Sequence, residues 1–206
     1  MKLHTLVLGA LGTNCYVLAD EVSSEAIVID APDKAETILN FVREQGYTLK
    51  GIVLTHGHYD HILALAKLKA ISLAPVAIHE NGKTFLQDGI NNLCHYVGIN
   101  WNPVTPDRYL KDGDTVTVGS LKFQVLHTPG HTSDCICLYG EGILISGDTL
   151  FQMSVGRTDH PTGSLPQEIQ SIRTKLMCLP DETKVYPGHG PATTIGDERK
   201  GNPYLQ

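Results

Sequence analysis

Within six residues, His56-Gly57-His58-Tyr59-Asp60-His61, the chain places three imidazoles and one carboxylate. No other stretch restricts the fold as strongly. The apolar run before it, Gly51-Ile52-Val53-Leu54, reads as a buried strand, and the run after it, Ile62 to Leu68, reads as a helix. The polar cluster therefore occupies a strand-to-helix loop, where rigid elements hold side chains in place. Neutral imidazole is the commonest metal ligand in proteins, and zinc accepts both histidine nitrogen and aspartate oxygen. On an extended backbone alternate side chains share a face, so His56 and His58 point the same way. Asp60 and His61 come after the turn and face a second position. The competing reading is a solvated polar loop.

Three more potential ligands each follow a predicted strand. His131, in Thr128-Pro129-Gly130-His131-Thr132, follows the strand Leu121 to Leu126. Asp148 follows Gly142 to Ile145, and His189, in Pro187-Gly188-His189-Gly190, follows Lys184 to Tyr186. Loops at strand ends are where open α/β folds gather their sites. Five histidines and two aspartates are too many ligands for one tetrahedral ion and a natural number for two. His56, His58 and His131 could hold a first ion. Asp60, His61 and His189 could hold a second, and Asp148 could bridge them.

The rest of the pattern alternates strands with helices. Leu3 to Leu8, Asn14 to Ala19 and Ala26 to Asp30 read as strands. A helix follows, with Asp33 as its cap, Glu36 three positions on, and Gly46 closing it. The helix after the metal loop is predicted to run to about Ser72, with a strand at Pro75 to Ile78 and a short helix at Lys83 to Gln87. Residues 80–108 are irregular and read either as a flap beside the site or as a surface loop. Beyond Asp114 the pattern is strongly β: Thr115 to Val118, Leu121 to Leu126, Cys135 to Tyr139 and Gly142 to Ile145. Leu165 to Leu179 is the last predicted helix, with Ser164 as cap and Pro166 in its first turn. No repeats or linkers interrupt the chain, so a single domain over 1–206 is the simplest organisation.

Composition excludes several functions. Of 206 residues, 41% are hydrophobic and 18% charged, with a formal net charge of -6. No basic stripe is present, so nucleic-acid binding has no electrostatic support. No apolar run approaches the ~20 residues of a membrane span. The start, Met1 to Ala10, is too short and too interrupted for a signal peptide. The five cysteines, Cys15, Cys94, Cys135, Cys137 and Cys178, form no disulfide framework and read as small buried hydrophobes in a reducing cytoplasm.

The loop Thr55-His56-Gly57-His58-Tyr59-Asp60-His61, with His131, Asp148 and His189, resembles the metallo-β-lactamase-fold hydrolases, over nearly the whole chain from Asp30 onward. Gly147-Asp148-Thr149-Leu150-Phe151, Gly156-Arg157-Thr158-Asp159 and the tail Pro187-Gly188-His189-Gly190-Pro191 are similar to the glyoxalase II-like branch, which hydrolyses thioesters such as S-lactoylglutathione. The resemblance implies a mixed α/β (α+β) fold, a four-layer αββα sandwich with two mixed sheets flanked by helices. It also implies two divalent ions, zinc first, with iron or manganese as alternatives. The expected reaction is attack of a metal-bridging hydroxide on a small thioester, with Asp60 and Asp148 as the catalytic carboxylates and Arg157 holding a substrate carboxylate. A thiolate leaves readily because a thiol pKa is about 8.5, which favours thioesters and esters over lactams. Asp30 is expected to orient the metal loop, since ligating imidazoles need a partner on the other nitrogen.

Two departures from the branch stand out. Only 17 residues follow His189, so the helical domain that helps full-length glyoxalase II grip glutathione is expected to be missing. His160 replaces a usually apolar residue; it reads first as a surface histidine, with the mouth of the site as the alternative. His4, His79, His95 and His127 stand in no motif and read as ordinary histidines. A persulfide dioxygenase-like mononuclear iron oxidoreductase shares the Gly-Arg-Thr-Asp segment and is the alternative function, with another ester or lactone hydrolase beside it. A cytoplasmic monomer or small homo-oligomer acting on a small molecule is expected.

Overall fold

The computed structural model describes residues 1–206. Two six-stranded mixed sheets dominate it. The first runs in sequence order: β1 (Lys2–Leu8), β2 (Thr13–Asp20), β3 (Glu25–Ile29), β4 (Thr48–Val53), β5 (Val76–His79) and β6 (Arg108–Leu110). Its first three strands are antiparallel and the rest parallel. The second contains β7 (Thr115–Val118), β8 (Leu121–His127), β9 (Ile136–Gly140) and β10 (Ile143–Gly147) as an antiparallel meander. A small hairpin, β11 (Leu150–Phe151) with β12 (Ser154–Val155), leaves this sheet, and β13 (Lys184–Pro187) returns parallel to β10, with β14 (Thr193–Thr194) at the edge.

Side-chain alternation makes the layers. Tyr16 and Leu18 of β2 and Ile27 and Ile29 of β3 face the second sheet, where they meet Val116, Phe123, Val125, Ile136 and Ile145. Their neighbours Val17, Ala19, Ala26 and Val28 face the opposite way, onto α1 (Ala35–Glu44) and α3 (Leu65–Ser72) through Ile38, Val42, Leu65 and Leu68. On the outer face of the second sheet, Leu126, Cys137, Leu144 and Val185 pack on Ile172, Leu176 and Ile195. Those last residues belong to the turn continuing α5 (Leu165–Ser171) and to α6 (Ile195–Gly201). Period-2 alternation buries both faces of each sheet, as a strand covered on two sides requires. The expected four-layer αββα sandwich is the observed architecture.

Several local expectations differ. Asp33 does not cap α1: its carboxylate accepts the adjacent Lys34 N–H at 2.7 Å, and Lys34, at φ 52°, turns the chain into the helix. The helix after the metal loop is split into α2 (Tyr59–Ile62) and α3. The Ala64 N–H donates to Ala31 O and the Ala31 N–H to His61 O, which ties the junction to the end of β3 rather than to a continuous helical ladder. Ser164 makes no side-chain cap, and after Ser171 the last predicted helix widens to a π-turn. α4 (Lys83–Gln87) is where it was expected. The helix α6 was not anticipated, although Thr194-Ile195-Gly196-Asp197 is a capping pattern; Thr194 Oγ1 accepts the Asp197 N–H at 3.1 Å. Four cysteines are buried, all five are free, and Cys178 is exposed. No helix is long and apolar enough to cross a membrane.

Phe123 is fully buried between the sheets. Truncation there leaves a cavity in the layer that both sheets share. Phe123→Ala is expected to cost ~3–5 kcal/mol in urea unfolding. A loss under about 1 kcal/mol would show that the sheets do not depend on this contact.

Candidate metal centre

The parallel strands of the first sheet and β8, β10 and β13 of the second end at one edge of the sandwich. The loop after β4 carries His56, His58, Asp60 and His61; the segments after β8, β10 and β13 carry His131, Asp148 and His189. All seven meet. His56, His58 and His131 bring one ligand atom each within 4.8 Å of one another, as do Asp60, His61 and His189. These are the two expected sets. Asp148 lies between them: Oδ1 is 3.3 Å from His61 Nε2, and Oδ2 is 3.6 Å from His189 Nε2 and 3.7 Å from His131 Nε2. Asp148 also groups with His56 and His61, as a bridging residue should.

The second nitrogen of four of the imidazoles is engaged away from the centre. His61 Nδ1 donates to Asp30 Oδ2 at 2.8 Å. His131 Nδ1 donates to the Arg157 carbonyl at 2.7 Å, and His189 Nδ1 to the Leu11 carbonyl at 3.2 Å. His56 Nδ1 lies 3.2 Å from Thr55 Oγ1. A carbonyl or carboxylate oxygen only accepts, so Nδ1 of His61, His131 and His189 carries a proton and Nε2 is the nitrogen turned inward. Asp30 also accepts the Thr55 N–H at 2.8 Å and the Thr55 hydroxyl at 2.7 Å. It is held at φ 61°, a left-handed conformation that such over-determined positions tolerate. Its expected orienting role matches this geometry.

The inward atoms fit a cation. Buried His56 Nε2, His58 Nε2, His61 Nε2 and Asp148 Oδ1 have no hydrogen-bond partner, and the His58 nitrogen that faces His131 Nε2, at 2.9 Å, is Nδ1. Orphaned buried polar atoms are costly, and so many together in one native site need a common partner. The charges say the same. Burial works against protonation of His61, but Asp148, Asp60 and Asp30 outweigh it and hold its pKa well above the usual imidazole value. Burial and the neighbouring imidazoles keep His56 far below that value. Burial would raise the Asp148 carboxyl, yet His61, His131 and His189 hold it well below the usual range. Carboxylates and imidazoles thus hold one another's charge at a buried point, and divalent ions would take over that role.

Gly188 shows how tightly the chain is drawn around the centre. A Cβ there would run into Asp148 Oδ1 and His61 Cε1. The loop carrying His189 is clamped by Asn14, whose Nδ2 donates to Pro187 O at 2.9 Å and Gly190 O at 3.0 Å, and by Tyr16, whose hydroxyl donates to Pro187 O at 2.6 Å. Glu168, fully buried on α5, accepts the His131 N–H at 2.6 Å. Burial pushes its carboxyl up to about 8 despite that bond. Sequence reasoning missed Asn14 and Glu168. The signal for Asn14 was a polar residue opening an apolar strand; Glu168 lies in a helical pattern that any exposed glutamate would share.

The remaining expected residues differ in placement. Arg157 lines the cleft above the centre, but its guanidinium is engaged in a fork with Asp159, at 2.8 and 2.7 Å. Its firm link to the centre is its backbone carbonyl on His131. His160, read first as a surface residue, lines the cleft, with its ring centroid 5.7 Å from that of His58. The 80–108 segment is a wall of the site: Asn92 O accepts the Tyr59 N–H at 2.8 Å, and Leu93, Tyr96 and Val97 line the cleft. His79 and His127 stack on each other at 3.8 Å and His95 packs beside Tyr96; all three lie outside the ligand set.

The sequence model of the metallo-beta-lactamase superfamily matches residues 8–189. Hydroxyacylglutathione hydrolase GloC of Haemophilus influenzae is 34% identical over 100% of this chain and 98% of its own. Among solved structures, BLEG-1 B3 metallo-beta-lactamase superposes with a TM-score of 0.93 at 36% identity, covering 100% of both chains. TTHA1623 in a di-iron-bound form gives 0.88 at 35% identity, covering 98% of this chain and 100% of its own.

Two substitutions test the arrangement. His58→Ala is expected to lower the metal bound per chain, measured by elemental analysis of the purified protein; a wild-type metal content would remove His58 from the ligand set. Asp30→Asn replaces one accepting oxygen with an amide that must face a donor. It is expected to weaken metal binding ~10–100-fold in competition with a chromogenic chelator. Unchanged affinity would leave Asp30 without its orienting role.

Proposed function

The chain belongs to the metallo-beta-lactamase superfamily, and from that membership we propose that this metal-dependent hydrolase acts on small thioesters, in the manner of the glyoxalase II-like branch. The observation that carries the reading is the convergence of His56, His58, Asp60, His61, His131, Asp148 and His189, among which His56 Nε2, His58 Nε2, His61 Nε2 and Asp148 Oδ1 have no hydrogen-bond partner. His56, His58 and His131 would hold one divalent ion, Asp60, His61 and His189 the other, and Asp148 would touch both. Such a pair supplies a water that ionises near neutral pH and a Lewis acid for the acyl oxygen.

The protein's own residues do the rest. Asp30, Thr55, Leu11 O and Arg157 O lock the imidazoles, so the site is organised before substrate arrives. Asp60 and His189 are the least buried of the seven, which places the accessible side of the centre at the cleft. In the reaction a C–O bond forms from water to the acyl carbon and the C–S bond breaks. The sulfur leaves with the electron pair as thiolate and takes a proton from solvent. With a thiol pKa of about 8.5, this departure needs no strong acid, so the absence of a dedicated proton donor in the ligand set is no obstacle. An amide nitrogen would need one.

The relationship to GloC supports thioesters, and the complete Asp60-His61-His189 set supports two ions over the single iron of a persulfide dioxygenase. The latter remains the alternative function, and oxygen consumption with one iron per chain would establish it. No nucleic acid or membrane enters the proposal, and the partner is the small-molecule substrate.

Stripping the protein with a chelator is expected to abolish hydrolysis of S-lactoylglutathione, and zinc, manganese or iron to restore it. Activity that survives complete metal removal would overturn the reading.

A further inference from the structure

The cleft above the centre has a volume of about 1060 Å³. That is at the upper end for sites that enclose a drug-sized ligand, so it holds far more than the reacting bond and a lactoyl group. What fills the rest is decided by its walls. Leu11, Leu93, Tyr96, Val97, Phe151 and Pro161 line it. Three of them are strongly exposed: Tyr96 at 64%, Leu11 at 55% and Val97 at 48%. Scattered exposed apolar residues mean little, but these meet around a single opening, and such a patch marks a binding surface.

The walls are built rather than loose. The turn Cys94–Val97 is anchored by buried Cys94, whose N–H donates to Asn92 Oδ1 at 3.0 Å, and by the His95 N–H on Gly89 O at 2.8 Å. Trp101 Nε1 fixes the segment behind it to Leu86 O at 2.9 Å. Leu11 is joined to the centre through its own carbonyl on His189.

No permanent cation of the walls is left unpaired. No lysine lines the cleft, and its sole arginine, Arg157, is matched by the Asp159 carboxylate. Glutathione carries two carboxylates, which need donors of positive charge away from the ions themselves. A site that desolvates an unpaired carboxylate against leucine, valine and tyrosine loses affinity.

We infer that the cleft selects thioesters whose tail, remote from the reacting bond, is uncharged and apolar, in preference to glutathione thioesters. The inference rests on the thioester reading above and narrows it; the bonds made and broken are the same.

The test uses the metal-loaded protein with S-acyl-N-acetylcysteamine thioesters from acetyl to octanoyl, and with S-lactoylglutathione. kcat/KM is expected to rise about two- to fourfold per added methylene along the wall. Octanoyl should exceed S-lactoylglutathione by about tenfold or more. In the double variant Tyr96→Ser/Val97→Ser, both positions being exposed, the octanoyl-to-acetyl ratio should fall at least about fivefold. The thioether S-octyl-N-acetylcysteamine, which cannot be hydrolysed, should bind with a negative heat-capacity change, weakened in the double variant. A flat chain-length series, or a preference for S-lactoylglutathione, overturns the inference and leaves the thioester reading standing. If no thioester in either set is hydrolysed, the thioester reading itself falls and this inference with it.

Discussion

Buried imidazole nitrogens and carboxylate oxygens crowded at one point, four of them without a hydrogen-bond partner, are the constraint on which this structure turns. Left alone, such a cluster is destabilising, because desolvated polar atoms lose their water and gain nothing in return. Here the second nitrogen of four histidines is satisfied, while Nε2 of His56 and His61 is left without a partner and that of His131 and His189 meets only another residue of the cluster. The asymmetry is what orientation for a cation requires, and it cannot be produced by one loop. His61 needs Asp30 from the end of β3, His131 needs a carbonyl from the segment after β12, and His189 needs the turn between β1 and β2.

That requirement explains why the site sits where it does. In a two-sheet sandwich the strands are fixed by the apolar layer between them, and their ends come out at a common edge. Each ligand lies within a few residues of a strand that contributes to that layer. Where a loop must pass unusually close to the centre, as at Gly188, the side chain is absent. The clamp that Asn14 makes on Pro187 and Gly190 crosses from the first sheet to the second and holds both halves of the ligand set in register. Stability and metal binding are therefore coupled: a change that lets the sheets slide also spoils the centre.

The cleft follows a different logic. Its floor is polar, whereas its walls come from the 80–108 segment and the Gly9–Gly12 turn, which are largely apolar, and from residues 151–161, which add Gln152, Ser154 and the Arg157–Asp159 pair. One scaffold can carry many chemistries, so relatives that share the floor need not share substrates. In this chain the residue expected to bind an anion, Arg157, is already matched by Asp159. Two residues of spacing suffice for that fork, yet the pairing is visible only once the loop conformation is known.

Much of the centre was legible in the chain because metal ligation is a matter of residue type at strand ends. Three histidines and an aspartate between an apolar run and a helix, with single ligands after three later strands, restrict the outcome to a convergent site. The run of short strands likewise announced a β-rich single domain, while the two-sheet sandwich was implied by the family resemblance. Asn14, Glu168 and the break at Ala64 were not legible, because their roles consist of hydrogen bonds to backbone groups more than thirty residues away. The same holds for His160, whose place beside His58 depends on the path of a loop with no periodic pattern. Local chemistry thus determined which residues would gather and that they suit divalent ions. Only the packing of one sheet on the other decided which nitrogen each histidine presents and what the cleft above them admits, since those depend on distant backbone brought close by the shared apolar core.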